Sequence, residues 1–137
     1  MDREVAETSG SYEIRCSVVV HRRHAVLLVH RTCGGLDDWV LPGGAPLEDE
    51  SLTACARREL LEETGLSASL SKVAMIVESV RPGSGRRTLD IVFLATEPVL
   101  GRERAREPGL EPHFVRPVSW PEWTFTRRWR DICHVPD

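Results

Sequence analysis

Residues 44–66 read GAPLEDESLTACARRELLEETGL, and this stretch carries the most specific pattern in the chain. Three apolar residues recur in it at four-residue spacing: Leu52, Ala56 and Leu60. That spacing places them on one face of an α-helix, and the acidic residues just before Ser51 lie where the dipole of such a helix favours negative charge. We therefore predict a helix from about Ser51 to Thr64, with Gly65 at the position that follows a helix end.

Three glutamates near the end of the predicted helix form its unusual feature. Glu59, Glu62 and Glu63 stand at i, i+3 and i+4, so their side chains share one face beside the apolar stripe. The helix dipole disfavours negative charge there, and like charges at this spacing repel. Arg58 supplies one compensating charge, since it precedes Glu62 by four residues, and a divalent cation such as Mg²⁺ or Mn²⁺ would supply more. A solvated acidic face is the alternative that these residues alone leave open.

The spacing of the fixed residues around this helix is more specific. Gly44 is followed by five residues, Glu50, seven residues, and then the run RELLEETGL over residues 58–66. This arrangement resembles the Nudix box of the Nudix hydrolases, G-x5-E-x7-R-E-U-x-E-E-x-G-U with U aliphatic, and it matches every fixed position. The preceding WVLPGG at residues 39–44 is similar to the usual approach to that box. A weaker resemblance extends over about residues 14–120.

The resemblance implies an α+β fold, a Nudix-type α/β/α sandwich around a mixed β-sheet. It also implies hydrolysis of a nucleoside diphosphate linked to another moiety, in which water attacks a phosphorus of the diphosphate with the help of Mg²⁺ or Mn²⁺. By the same resemblance, Gly43 and Gly44 let the backbone approach the cofactor, and Arg58 orients a carboxylate. The metal site would then consist of Gly44, Glu59, Glu62 and Glu63, with Glu50 more peripheral and acting through water.

The group that accepts the proton of the attacking water stays open. In some members of the family it is a glutamate of the box, and in others it is a glutamate of a later loop. Glu107 and Glu111 are the best-placed loop candidates here, and a solvated loop acid is the alternative for each. The substrate is equally open among nucleoside triphosphates, ADP-ribose and nucleotide sugars. A Nudix-like sensor that binds a nucleotide without turnover is the competing function.

The composition and net charge limit the classes of protein to which the chain can belong. The 137 residues have a formal net charge of −3, which argues against a strongly basic nucleic-acid binder. The partner that the resemblance implies is a small-molecule nucleotide. Between Glu48 and Glu63, six acidic residues and two arginines give a net charge of −4, so the acidity is concentrated in the box. Four cysteines without metal spacing, a polar N-terminus and short apolar runs predict a cytoplasmic protein with free thiols and no membrane span.

The remaining segments complete a single domain over residues 12–137, preceded by a loose arm over residues 1–11. Tyr12–Val20 and Ala25–Arg31 are apolar or β-branched runs that we expect to pair as a hairpin. A second strand pair is expected over Leu70–Val80 and Thr88–Thr96, a last strand over Phe114–Val118 and a closing helix over Trp120–Ile132. The tryptophans of this last segment are expected to pack that helix on the sheet or to form a homodimer contact.

Overall fold

A computed structural model describes residues 11–80 and 83–116 of the chain. Its strands in chain order are β1 (Tyr12–Val19), β2 (His21–Arg22), β3 (Ala25–Arg31), β4 (Asp38–Val40), β5 (Gly43–Gly44), β6 (Ser67–Val80), β7 (Arg87–Leu100) and β8 (Leu110–Val115). One α-helix, α1 (Leu52–Thr64), lies within the described ranges, together with a short 3₁₀ turn at Cys33–Gly35.

The predicted helix is confirmed, because local signals set both of its ends. The Ser51 hydroxyl accepts a hydrogen bond from the Ala54 backbone N–H at 3.1 Å, which satisfies one of the free donors of the first turn. Gly65 ends the helix in the left-handed region with a φ of 79°, where a residue with a Cβ would be strained.

The strands form two sheets. The first has the order β5-β1-β7-β6, and it is mixed because β1 runs parallel to β7 while the other pairs are antiparallel. In the second, β3 is antiparallel to β2, β4 and β8. Helix α1 packs through a core that includes Cys55, Ala56 and Leu60. A second core includes Leu28 and Val92, whose positions alternate along β3 and β7 with those of residues in the first core. The expected α+β class with a mixed sheet is therefore confirmed.

The predicted hairpin between Tyr12–Val20 and Ala25–Arg31 is wrong. β1 pairs with β5 and β7, whereas β3 belongs to the other sheet. Residues 16–20 are all buried, so β1 is covered on both faces and sits between two strands that are distant in sequence. The polar residues between the two runs instead supply β2, which forms the short hairpin with β3.

The other predicted strands are present, but their bounds differ: β6 begins at Ser67 rather than Leu70, and β7 spans Arg87–Leu100 rather than Thr88–Thr96. β6 and β7 form the predicted second antiparallel pair. The last strand begins at Leu110 rather than Phe114, because residues 110–115 all find partners on β3. Residues 1–10 of the loose arm expected over residues 1–11 lie outside the described residues, as does the closing helix expected over Trp120–Ile132 with its tryptophans. No helix in the described part is long and apolar enough to cross a bilayer.

Candidate metal and phosphate site

Arg58 is the hub of the acidic cluster on α1. Its Nε and Nη2 atoms donate to the two carboxylate oxygens of Glu50 at 2.8 and 2.9 Å, a bidentate arrangement. Its Nη1 donates to Glu59 Oε1 at 2.9 Å and to Glu62 Oε2 at 3.1 Å, so the predicted ion pair with Glu62 is confirmed. The guanidinium lowers the pKa of Glu50 to about 2, and the carboxylates raise the pKa of Arg58 in return. One cation thus holds three glutamates of the box.

Glu63 lies near the end of α1, next to β5. Its Oε2 accepts a hydrogen bond from the Gly43 backbone N–H at 3.2 Å, which ties the end of α1 to β5. The pKa of Glu63 is raised to about 8, chiefly by burial and also by the neighbouring Glu59 carboxylate, while Arg15 and the Gly43 N–H act in the opposite direction. A buried carboxyl beside a second carboxyl is the environment in which a bound cation would be most favourable.

The two glycines of β5 are required for different reasons. A Cβ at Gly44 would lie 2.5 Å from the carboxyl carbon of Glu59, so the absence of a side chain leaves room for that carboxylate. A Cβ at Gly43 would collide with the carbonyl oxygen of Cys16 and would lie 2.5 Å from Ser17 Oγ, so Gly43 is pressed against β1. Gly44 therefore shapes the acidic site, and Gly43 fixes the strand that supports it.

The carboxylate oxygens of the box glutamates are ligands that suit a hard divalent cation. Among residues 11–80 and 83–116, no three His, Cys, Asp or Glu side chains are arranged to hold a metal ion in the present conformation. Three of the box glutamates form ion pairs with Arg58 instead. Glu59 and Glu63 nevertheless lie together at the place that Gly44 leaves open. Mg²⁺ commonly uses one or two carboxylates together with substrate phosphates, so this pair is a sufficient protein contribution.

The two loop glutamates, Glu107 and Glu111, lie outside the helix that carries the box glutamates. Glu107 is exposed in a turn in which its carbonyl oxygen accepts from the Leu110 N–H at 3.2 Å. Glu111 lies on β8 opposite His30, and its carboxylate is 3.7 Å from His113 Nε2. Within the described ranges, neither carboxylate forms a hydrogen bond or ion pair with a residue of the box.

A polar group behind the site was missed from the sequence. Arg15 and Ser17 on β1 and Asp90 on β7 lie next to the segment that leads into Gly43. The available signal was the alternation of Arg15 and Ser17 with the apolar Cys16 and Val18, which places both polar side chains on one face of the strand. Their common partner is remote in sequence, so the alternation alone does not identify it.

Comparisons with known proteins agree with this geometry. A family model described as NUDIX domain matches residues 12–122. Over 55 residues the chain is 42% identical to Phosphatase NudJ of Escherichia coli K12, and the match covers 40% of this chain but only 36% of that protein.

Two solved structures are similar over most of the chain. The MutT NUDIX hydrolase from Burkholderia pseudomallei has a TM-score of 0.78 and 21% identity, and the match covers 93% of this chain and 100% of that one. An ADP-ribose pyrophosphatase from Streptococcus suis has a TM-score of 0.68 and 18% identity, with 90% of each chain covered. These likenesses show the expected fold, a Nudix-type α/β/α sandwich around a mixed sheet.

Proposed function

The chain belongs to the Nudix hydrolase family, and from this we propose that it hydrolyses a nucleoside diphosphate linked to another moiety, with a divalent cation as cofactor. The observation that carries the proposal is that Glu59 and Glu63 lie together beside the Gly43–Gly44 backbone, while Arg58 donates to Glu59 and also to Glu50 and Glu62. Glu59 and Glu63 would hold Mg²⁺ or Mn²⁺ together with the Gly44 carbonyl, and Glu50 and Glu62 would act around them.

Hydrolysis of a diphosphate needs neutralisation of oxygen charge and a proton acceptor for the attacking water. The bound cation would supply the charge neutralisation. Arg58 keeps Glu50, Glu59 and Glu62 in a fixed arrangement, because its three nitrogens each donate to at least one of their carboxylates. The Gly43 N–H donates to one oxygen of Glu63, so the other oxygen would remain for the cation.

We assign the proton-accepting role to a glutamate of the box rather than to Glu107 or Glu111. Glu59 and Glu63 lie together beside Gly44, whereas the Glu111 carboxylate is 3.7 Å from His113 Nε2 and Glu107 lies in an exposed turn. A general base must lie within hydrogen-bond reach of the water that it deprotonates, so proximity to the other reacting groups favours the box.

The candidate substrates are nucleoside triphosphates, ADP-ribose and nucleotide sugars. The ADP-ribose pyrophosphatase and MutT proteins among the structural neighbours are consistent with that range. Cys16 and Cys55 are buried and free, and the Cys55 thiol donates to the Gly44 carbonyl at 3.5 Å, which is consistent with a reducing compartment. We accordingly place the protein in the cytoplasm.

A nucleotide panel tests the function directly. The protein is incubated with each candidate in the presence of Mg²⁺ or Mn²⁺, and products are separated by anion-exchange chromatography with and without chelator. We expect cleavage of at least one candidate, its loss with chelator, and its loss in Glu59→Gln and Glu63→Gln. Glu48→Gln is the matched control, since Glu48 is an exposed acid of the same stretch. Binding of a nucleotide by the wild-type protein without any turnover would support the sensor function instead.

A further inference from the structure

Three polar side chains form a cluster on the face of β1 and β7 that lies away from α1. Arg15 stands opposite Asp90 in the register of the two strands, and its Nε lies 3.8 Å from Asp90 Oδ2. The Ser17 hydroxyl donates to Asp90 Oδ1 at 2.7 Å. Ser17 is fully buried, and only 20% of the Asp90 side chain and 27% of the Arg15 side chain are exposed. Burying these polar groups costs free energy unless their hydrogen bonds and ion pair are formed, so the cluster is a rigid element of the sheet.

Arg15 joins this cluster to the strand that carries the glycines. Its Nη2 donates to the Leu41 carbonyl at 2.9 Å, and the Val18 N–H donates to the Pro42 carbonyl at 3.0 Å. These two bonds fasten consecutive residues of the approach to Gly43 onto β1. Gly43 itself lies opposite Ser17 in the register. The backbone is therefore fixed immediately before the N–H that donates to Glu63.

We propose that Arg15 is a positioning residue for the catalytic centre, because it fixes the Leu41–Gly43 backbone so that the Gly43 N–H meets the Glu63 carboxylate. This inference rests on the proposed function for its effect on turnover, but its structural part does not. The forked geometry of the guanidinium is required, because its Nε lies near the Asp90 carboxylate while its Nη2 donates to the Leu41 carbonyl.

The alternative is that Arg15 only stabilises the pairing of β1 with β7. Arg87 provides the matched control, because it also lies on β7 and contacts β1, where its Nη1 donates to the Tyr12 hydroxyl at 3.3 Å. Arg87 is exposed and has no contact with the approach to Gly43. Removing it tests the effect of losing an arginine between the same two strands.

The decisive experiment measures hydrogen exchange of the Gly43 amide by NMR without nucleotide or metal, followed by kcat and KM on the best substrate. We expect Arg15→Gln to speed exchange at Gly43 about tenfold, because the supporting bond is lost, while Arg87→Gln leaves it unchanged. In the same variant kcat should fall about ten- to a hundredfold with KM nearly constant, since misplacing a group that acts in the transition state affects chemistry more than binding.

Arg15→Lys keeps the charge but cannot reproduce the forked geometry, so it should give intermediate exchange and intermediate kcat. It also replaces Arg15→Gln if that variant does not fold. Unchanged Gly43 exchange in the folded Arg15 variants, or equal changes in Arg87→Gln, would overturn the positioning role even if the protein is an active hydrolase. If no substrate is cleaved, the exchange measurement still decides the structural part, so the failure of this inference and that of the proposed function remain distinguishable.

Discussion

Replacing Glu63 by glutamine should stabilise the cation-free protein while abolishing its activity. Glutamine has the shape of the glutamate, and its carbonyl oxygen can still accept the Gly43 N–H, which lies 3.2 Å from the carboxylate in the wild-type protein. What changes is the charge. The wild-type carboxyl must either take up a proton or be ionised in a buried place beside Glu59, and glutamine avoids both.

The size of the effect follows from the pKa of Glu63, which is about 8 in the folded protein against an ordinary value of 4.5. Because the folded state binds the proton of Glu63 more tightly, the contribution of this group to stability is fully present below pH 4.5 and is lost as the pH rises towards 8. Each pH unit in that range removes about 1.4 kcal/mol, so the advantage of glutamine reaches up to about 3 kcal/mol at pH 7 and is below about 1 kcal/mol at pH 5.

Urea unfolding with chelator at pH 5 and pH 7 measures this difference. Glu48→Gln is the control, because Glu48 is exposed, and a surface change of this kind shifts the free energy of unfolding by about 0.5 kcal/mol or less. Added Mn²⁺ should narrow the gap between wild type and Glu63→Gln, since a cation stabilises the ionised carboxylate. A variant that is less stable than wild type at pH 7, or an advantage that does not depend on pH, would refute the reasoning.

Three further predictions concern the same site. Gly44→Ala should lower kcat about tenfold or more with little loss of stability, because the added Cβ meets only the movable end of Glu59. Gly43→Ala should lower the free energy of unfolding in urea by about 1–3 kcal/mol, because the added Cβ meets the backbone of β1. In Arg58→Gln, stability should fall less steeply as the pH is lowered from 4.5 to 2. Over this range the wild-type protein loses the stabilisation that comes from the lowered pKa of Glu50. Acid titration followed by circular dichroism measures the difference. Glu111→Gln should retain kcat within about threefold in steady-state assays, and a loss of about a hundredfold would move the proton-accepting role to β8.

Much of the local structure could be predicted from the sequence. Helix α1 follows from its four-residue apolar spacing, and its ends follow from Ser51 and Gly65, because caps act through neighbouring backbone atoms. The ion pair between Arg58 and Glu62 follows from helical spacing in the same way. The pairing of β1 could not be predicted so well, since two apolar runs joined by a short polar break are typical of a hairpin. Here the strand is buried on both faces and pairs with β7, more than seventy residues away.

The sequence by itself therefore determined the helix, the order of the acidic residues along it and the family to which the chain belongs, because each depends on residues close together in the chain. Only the tertiary structure decided what surrounds those acids. The Gly43 N–H reaches Glu63 across twenty residues, and Arg15 reaches Leu41 across twenty-six. The raised pKa of Glu63 is a product of that packing, since burial and the charges of distant side chains set it. Burial and long-range register are properties of the folded chain, and no local spacing encodes them.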